Sequence, residues 1–143
     1  MTSASSWPRV LLRSEDTDNH LSVVETAPAP GVSPPLHAHD FDETFYVMEG
    51  ELVFRVRDEY FTVTAGQLAF APRGVPHTYA NLSDAPAHQL IICTPAGFER
   101  HFARMAAERQ GIEPPDWARQ SLPPVTNLGP PIDRAAVRSA RHG

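Results

Sequence analysis

The stretch GVSPPLHAHDFDETFYVMEG, residues 31–50, decides how the rest of the chain is read. His37, His39 and Glu43 all have odd numbers. On an extended chain, where side chains alternate between faces, they point to one side if the backbone stays regular between them. Their imidazole and carboxylate groups then converge, and Phe45 and Val47 continue the same parity as an apolar lining. Apolar walls around a few convergent polar groups describe a ligand pocket.

A second stretch, GQLAFAPRGVPHTYAN, residues 66–81, supplies a partner for the first. Pro72 and Gly74 build a turn that aims the next short strand, and His77 is its first strong ligand candidate. Three imidazoles and one carboxylate suit a single divalent ion of Fe, Mn, Ni, Co or Zn, and a six-coordinate ion keeps two positions free. An open position separates a catalytic site from a structural one. Tyr79 has the parity of His77 and faces the same cavity if its segment is extended. There it acts as a hydrogen-bond donor or proton carrier, or else packs as a core tyrosine. Asp40 and Asp42, between the ligands, either orient an imidazole or are solvated loop carboxylates. His20, His88, His101 and His142 belong to neither motif and read as surface or hydrogen-bonded residues; His88, opening a predicted strand, is the best placed of them to line the pocket.

Working outward, residues 19–93 show short alternating segments broken by Gly, Pro, Asn and Asp, the pattern of an all-β sandwich or barrel. The strand candidates are LSVVET, ETFYVME, ELVFRVRD, YFTVTA, QLAFAP and HQLIIC. Leu52, Phe54 and Val56 alternate with mostly polar neighbours, which buries one face of that strand. Glu49-Gly50 reads as a tight hairpin and Asp58-Glu59 as a second turn. Phe45, Val47, Phe54 and Phe70 are expected in the core. From Thr94 the period changes: Phe98, Phe102 and Met105 lie on one helical face, with Thr94 as cap, Pro95 in the first turn and Gly111 at the end. The remainder is rich in proline and is expected to wrap the domain or be mobile, with DRAAVRSARHG as a short exposed helix. The divisions are therefore an N-terminal tail or swapped strand (1–18), a barrel (19–94), a C-terminal helix (95–111) and a Pro-rich tail (112–143). Trp7 and Trp117 are placed to pin the tails onto the barrel.

Length and composition narrow the function. A chain of 143 residues with 41% apolar content supports one core. A net charge of -5 argues against nucleic acid or an anionic membrane as partner. All 12 basic residues are Arg, so Schiff-base chemistry has no amine to use. Cys93, the one cysteine, sits in the apolar run LIICTP and reads as a buried small hydrophobe. A single cysteine and the lack of a run long enough to span a membrane give a cytoplasmic, soluble expectation.

The two motifs together resemble those of the cupins. The first cupin motif asks for Gly, five residues, His, one residue, His, three or four residues, Glu, six residues and Gly, which Gly31, His37, His39, Glu43 and Gly50 satisfy. The second asks for Gly, five, Pro, one, Gly, two, His, three and Asn, which Gly66, Pro72, Gly74, His77 and Asn81 satisfy. Either pattern arises by chance at a given start on the order of once in a million times or less. The resemblance implies a double-stranded β-helix, or jelly-roll barrel, with His37, His39, Glu43 and His77 as metal ligands. It also implies a homodimer, since many small cupins pass an N-terminal strand to a partner.

Cupins host many reactions, so the fold alone fixes none. The complete ligand set favours a metal-dependent enzyme, and resemblance to the quercetinase-like members points to a dioxygenase-like oxidoreductase acting on a small aromatic or enolic molecule. In that reading Glu43 doubles as a general base and Tyr79 assists. A non-redox isomerase, cyclase or lyase, using the ion as a Lewis acid, is the second reading. A metal-containing small-molecule binding protein without turnover is the third.

Overall fold

Alternation of apolar and polar residues gives each of two five-stranded sheets one buried face. The computed structural model describes residues 7–142. The first six residues of the expected N-terminal tail, Gly143 and the side chains of residues 140–142, and with them the surface role expected of His142, lie outside the described residues. One sheet has the order β1 (Arg9–Leu12), β2 (Ser22–Thr26), β9 (His88–Thr94), β4 (Asp42–Glu49) and β7 (Leu68–Ala71). The other has the order β10 (Val125–Gly129), β3 (Leu36–His39), β8 (His77–Ala80), β5 (Glu51–Val56) and β6 (Glu59–Thr64). Strands distant in sequence lie side by side and pair antiparallel, as the expected all-β jelly-roll barrel requires.

The inward faces form one core. Phe45 and Val47 of β4 and Ile91 of β9 meet Leu52 and Phe54 of β5, with the Phe45 and Phe54 rings 4.9 Å apart. Each such side chain contributes about 1.5–3 kcal/mol by leaving water. Phe70 departs from expectation: it is 52% exposed. On edge strand β7 the inward positions are taken by Ala69 and Ala71, which turns Phe70 out.

The tight hairpin expected at Glu49-Gly50 is instead a crossing between the sheets: β4 and β5 do not pair, and Gly50 joins them at φ +78, where a Cβ would stand 3.0 Å from the Ala87 Cα. The second turn falls at Arg57-Asp58, one residue before the expected pair, with Arg57 at φ +56.

Helix α1 (Glu99–Gln110) begins later than the sequence suggests, because Thr94 ends β9 and does not cap it. The Glu99 carboxylate accepts the Gly97 N–H instead. Phe102 reaches the barrel core, and Gly111 ends the helix at φ +68. The Pro-rich segment is more regular than its composition suggests. After a 3-10 turn at Asp116–Arg119 it contributes β10, a full edge strand, and then α2 (Arg134–His142). Arg104 of α1 fastens it by donating to the carbonyls of Ala118 and Gln120. At the other end β1 pairs with β2 of its own chain. Trp7 meets His88 edge-on and Trp117 lies under the Arg13 guanidinium. No helix among the described residues is long and apolar enough to cross a membrane.

Candidate metal centre

His37, His39 and His77 come from one sheet and Glu43 from the other. β3 and β8 are antiparallel neighbours with His37 directly opposite His77, so their side chains share a face, and alternation adds His39. The chain then turns at Asp40-Phe41 and crosses to β4, whose inward face begins with Glu43. The backbone is thus not regular between His39 and Glu43. The four groups meet because two inward faces oppose each other across the barrel, not because one strand carries them. The crossing is fixed from both sides: the Gly74 N–H donates to the His39 carbonyl at 2.7 Å, and the Arg73 N–H donates to the Asp42 carboxylate at 2.8 Å.

Each imidazole is oriented by a backbone carbonyl two residues away. Nδ1 of His37 lies 2.6 Å from the Pro35 oxygen, Nδ1 of His39 lies 3.0 Å from that of Phe41, and Nδ1 of His77 lies 2.8 Å from that of Val75. A carbonyl only accepts, so each Nδ1 carries a proton and each Nε2 faces the centre. The four candidate donor atoms lie within 4.8 Å of one another. Donors about 2.0–2.2 Å from a common ion stand up to about 4.4 Å apart, so small side-chain movements bring all four onto one ion. The residues fit a divalent metal.

Electrostatics supports the same view. Oε1 of Glu43 faces Nε2 of both His39, at 2.6 Å, and His77, at 3.0 Å. Burial opposes ionisation of Glu43, but the hydrogen bonds and charge of these two imidazoles outweigh it and bring its pKa down to about 2. Burial likewise works against a proton on His77, and Glu43 reverses that, leaving its pKa above the ordinary value. His37, with less help, is lowered by burial. In effect the site holds an anion surrounded by groups that compete for a positive charge between them, and a divalent cation supplies that charge without protons.

The surroundings are apolar. The Phe41 ring stacks on His39 at 3.6 Å, and Phe98 of the β9–α1 connection comes within 6.2 Å of it. His39, Glu43 and His77 are buried, while His37 is half-buried. Cys93 lies beside Glu43 on the same face, but burial and the Glu43 charge push its thiol pKa well up, so it stays protonated.

The remaining candidates are distributed as follows. Tyr79 packs between Phe45 and Phe54, on the inward face two residues beyond His77, and burial followed by the Glu43 charge raises its pKa above the ordinary range. Asp42 pairs with Arg73, leaving the imidazoles to backbone carbonyls. His88 points outward, to Glu25 and Trp7, because its even position on β9 is opposite in facing to Gln89, Ile91 and Cys93. His101 is half-buried and stacks on Phe98 at 5.0 Å. Two neighbours of the site are not legible in the sequence: Val125 and Asn127 of β10, which pair with His39 and His37. The only signal for them is VTNLG, five residues between Pro124 and Pro130, easily read as irregular chain.

A family model described as a cupin domain matches residues 24–93. Among curated proteins, the chain is 29% identical over 92 residues to endoribonuclease YbeY of Myxococcus xanthus, covering 64% of this chain and 31% of that protein. It is 35% identical over 68 residues to the tetracenomycin polyketide synthase protein TcmJ of Streptomyces glaucescens, covering 47% of this chain and 46% of that one. The chain therefore spans less than half the length of either. Among solved structures, TT1209 from Thermus thermophilus superposes with a TM-score of 0.56 at 32% identity, over 62% of this chain and 81% of that one.

Proposed function

Given that the chain belongs to the cupin superfamily, we propose that it is a metal-dependent oxidoreductase of the dioxygenase type acting on a small aromatic or enolic molecule. The observation that carries this reading is the convergence of three imidazoles and one buried carboxylate at one centre, with His37 the least buried of them. A similar protein is named for polyketide synthesis. Polyketides are built of β-dicarbonyl units, which enolise readily, so the likeness supports an enolic or phenolic substrate.

A divalent Fe, Mn, Ni or Co ion held by His37, His39, Glu43 and His77 supplies the means of engaging O2 beside the substrate. The protein's own part is proton handling and exclusion of water. The Glu43 carboxylate is the group placed to accept the proton of the substrate hydroxyl. Tyr79, held protonated, serves as a hydrogen-bond donor and not as a base. Phe41, Phe45 and Phe98 keep the reacting atoms dry. Cleaving an enol C=C with O2 places one oxygen atom on each carbon, so no external reductant is needed.

Oxygen uptake by the metal-loaded protein with a panel of phenols and β-dicarbonyls tests this. Uptake that requires a redox-active ion is expected. Turnover that proceeds equally with Zn, and without O2, overturns it in favour of an isomerase, cyclase or lyase, which the same enolic chemistry also supports. Metal binding with no turnover leaves a binding protein. A net charge of -5 disfavours a phosphate backbone as ligand, which weighs against the RNA cleavage named for the longer relative.

A further inference from the structure

The strand contributed by the Pro-rich segment runs beside the strand that carries His37 and His39. Antiparallel pairing puts Asn127 directly opposite His37 and Val125 opposite His39, so both side chains stand on the face that bears the imidazoles. Thr126 points the other way. Of the four proposed ligands His37 is the least buried, and Asn127 stands beside it, on the side of the centre nearest to solvent. Asn127 is exposed, and among the described residues its side-chain amide has no hydrogen-bond partner. An amide there offers two donors and an acceptor without adding a charge of its own beside the ligands.

We propose that Asn127 is a substrate-binding residue of the metal centre, its side-chain amide donating a hydrogen bond to an oxygen of the phenolate or enolate lodged beside His37. Val125 forms the apolar wall next to it, alongside His39. This rests on the metal-dependent reading above and deepens it. It also places a determinant of specificity beyond residues 24–93, the segment shared with the family, on a strand held in place by the 3-10 turn and Arg104. A hydrogen bond from a neutral amide to an anionic oxygen is charge-assisted, and so is among the stronger contacts one side chain can offer.

The test uses the full chain loaded with Zn, which is redox-inert and leaves the probe intact, and 4-nitrocatechol, whose visible absorption reports binding. Asn127→Leu, Asn127→Asp and Thr126→Val are compared with the parent, with metal content measured on the same samples. Asn127→Leu is expected to bind the probe about tenfold more weakly. Asn127→Asp is expected to bind more weakly again, by like-charge repulsion that added salt reduces. Thr126→Val, facing away, is expected to match the parent, and all four are expected to hold equal zinc. Probe affinities within about twofold for both Asn127 variants overturn the proposal, as does a zinc-loaded parent that does not bind the probe. A parent that holds no zinc overturns the metal reading itself and the proposal with it, an outcome visible in the metal analysis.

Discussion

Nε2 of His39 stands 2.6 Å from Oε1 of Glu43, although the two residues belong to different sheets. His77 shares the same oxygen, at 3.0 Å. Two imidazoles whose other nitrogens are committed to carbonyls cannot both donate to one carboxylate without carrying charge. That requirement makes the cluster compatible with a cation at its centre.

The first prediction concerns that carboxylate. Glu43→Gln keeps the shape but removes the charge, and metal affinity is expected to fall at least about 100-fold, read by competition with a chromogenic chelator. The double variant His37→Ala, His77→Ala is expected to retain no stoichiometric metal by mass spectrometry. Retention of parent-like metal by both would show that the cluster is not the binding site.

How much of this is legible in the sequence depends on the residue. Alternation in ETFYVME and ELVFRVRD identifies the buried faces of β4 and β5, because a strand with one wet side writes its period into the sequence. Spacing alone brings out the four candidate ligands. One extended strand is nevertheless the wrong reason for their convergence: parity within residues 37–43 is interrupted at Asp40-Phe41, and opposed sheets bring Glu43 back. Phe70 defeats the parity argument because parity says which residues share a face but not which face is inward. β10 escapes sequence reading because its pairing is wholly tertiary, and prolines on both sides of VTNLG outweigh five residues of weak strand propensity.

A second prediction follows from His101, whose pKa is lowered by burial and by the nearby Arg104 charge. A base with a depressed folded pKa takes up protons more readily when unfolded. Its contribution to stability is therefore complete above the ordinary value of 6.5 and is lost as pH falls through the folded pKa. His101→Phe keeps the stacking on Phe98 and has no proton to gain. Thermal melts are expected to show the variant gaining on the parent between about pH 8 and about pH 5. A difference in melting temperature that does not change over that range would rule this out.

Gly50 supplies a third. Its φ of +78 is strained for any residue with a side chain, and a Cβ at this position would approach the Ala87 Cα to 3.0 Å. Gly50→Ala is expected to cost about 1–3 kcal/mol in denaturant unfolding, with the loss falling on the crossing from β4 of one sheet to β5 of the other. Parent-like stability would mean that the crossing relaxes at no cost.

The last prediction concerns Glu99, a fully buried carboxylate held by backbone N–H groups and a hydroxyl. One oxygen accepts the Ser14 N–H and hydroxyl, each at 2.6 Å, and the other accepts the Gly97 N–H at 2.6 Å. It sits in the first turn of α1, where negative charge is favoured by the exposed N–H groups of the helix start. It thereby ties three segments together: the 3-10 turn after β1, the connection from β9, and the helix whose start brings Phe98 over His39. Glu99→Ala strands buried donors in these segments and is expected to cost about 3 kcal/mol or more. Glu99→Gln keeps one acceptor but sets an NH2 group against donors on the other side, and is expected to fall between. Because the proposed ligands are held by the barrel and not by α1, metal stoichiometry of the folded variants is expected to match the parent, while protease cleavage between β9 and α1 rises. Loss of metal in Glu99→Gln at unchanged stability would contradict this division, and would mean that the helix, through Phe98, helps to hold His39 in place.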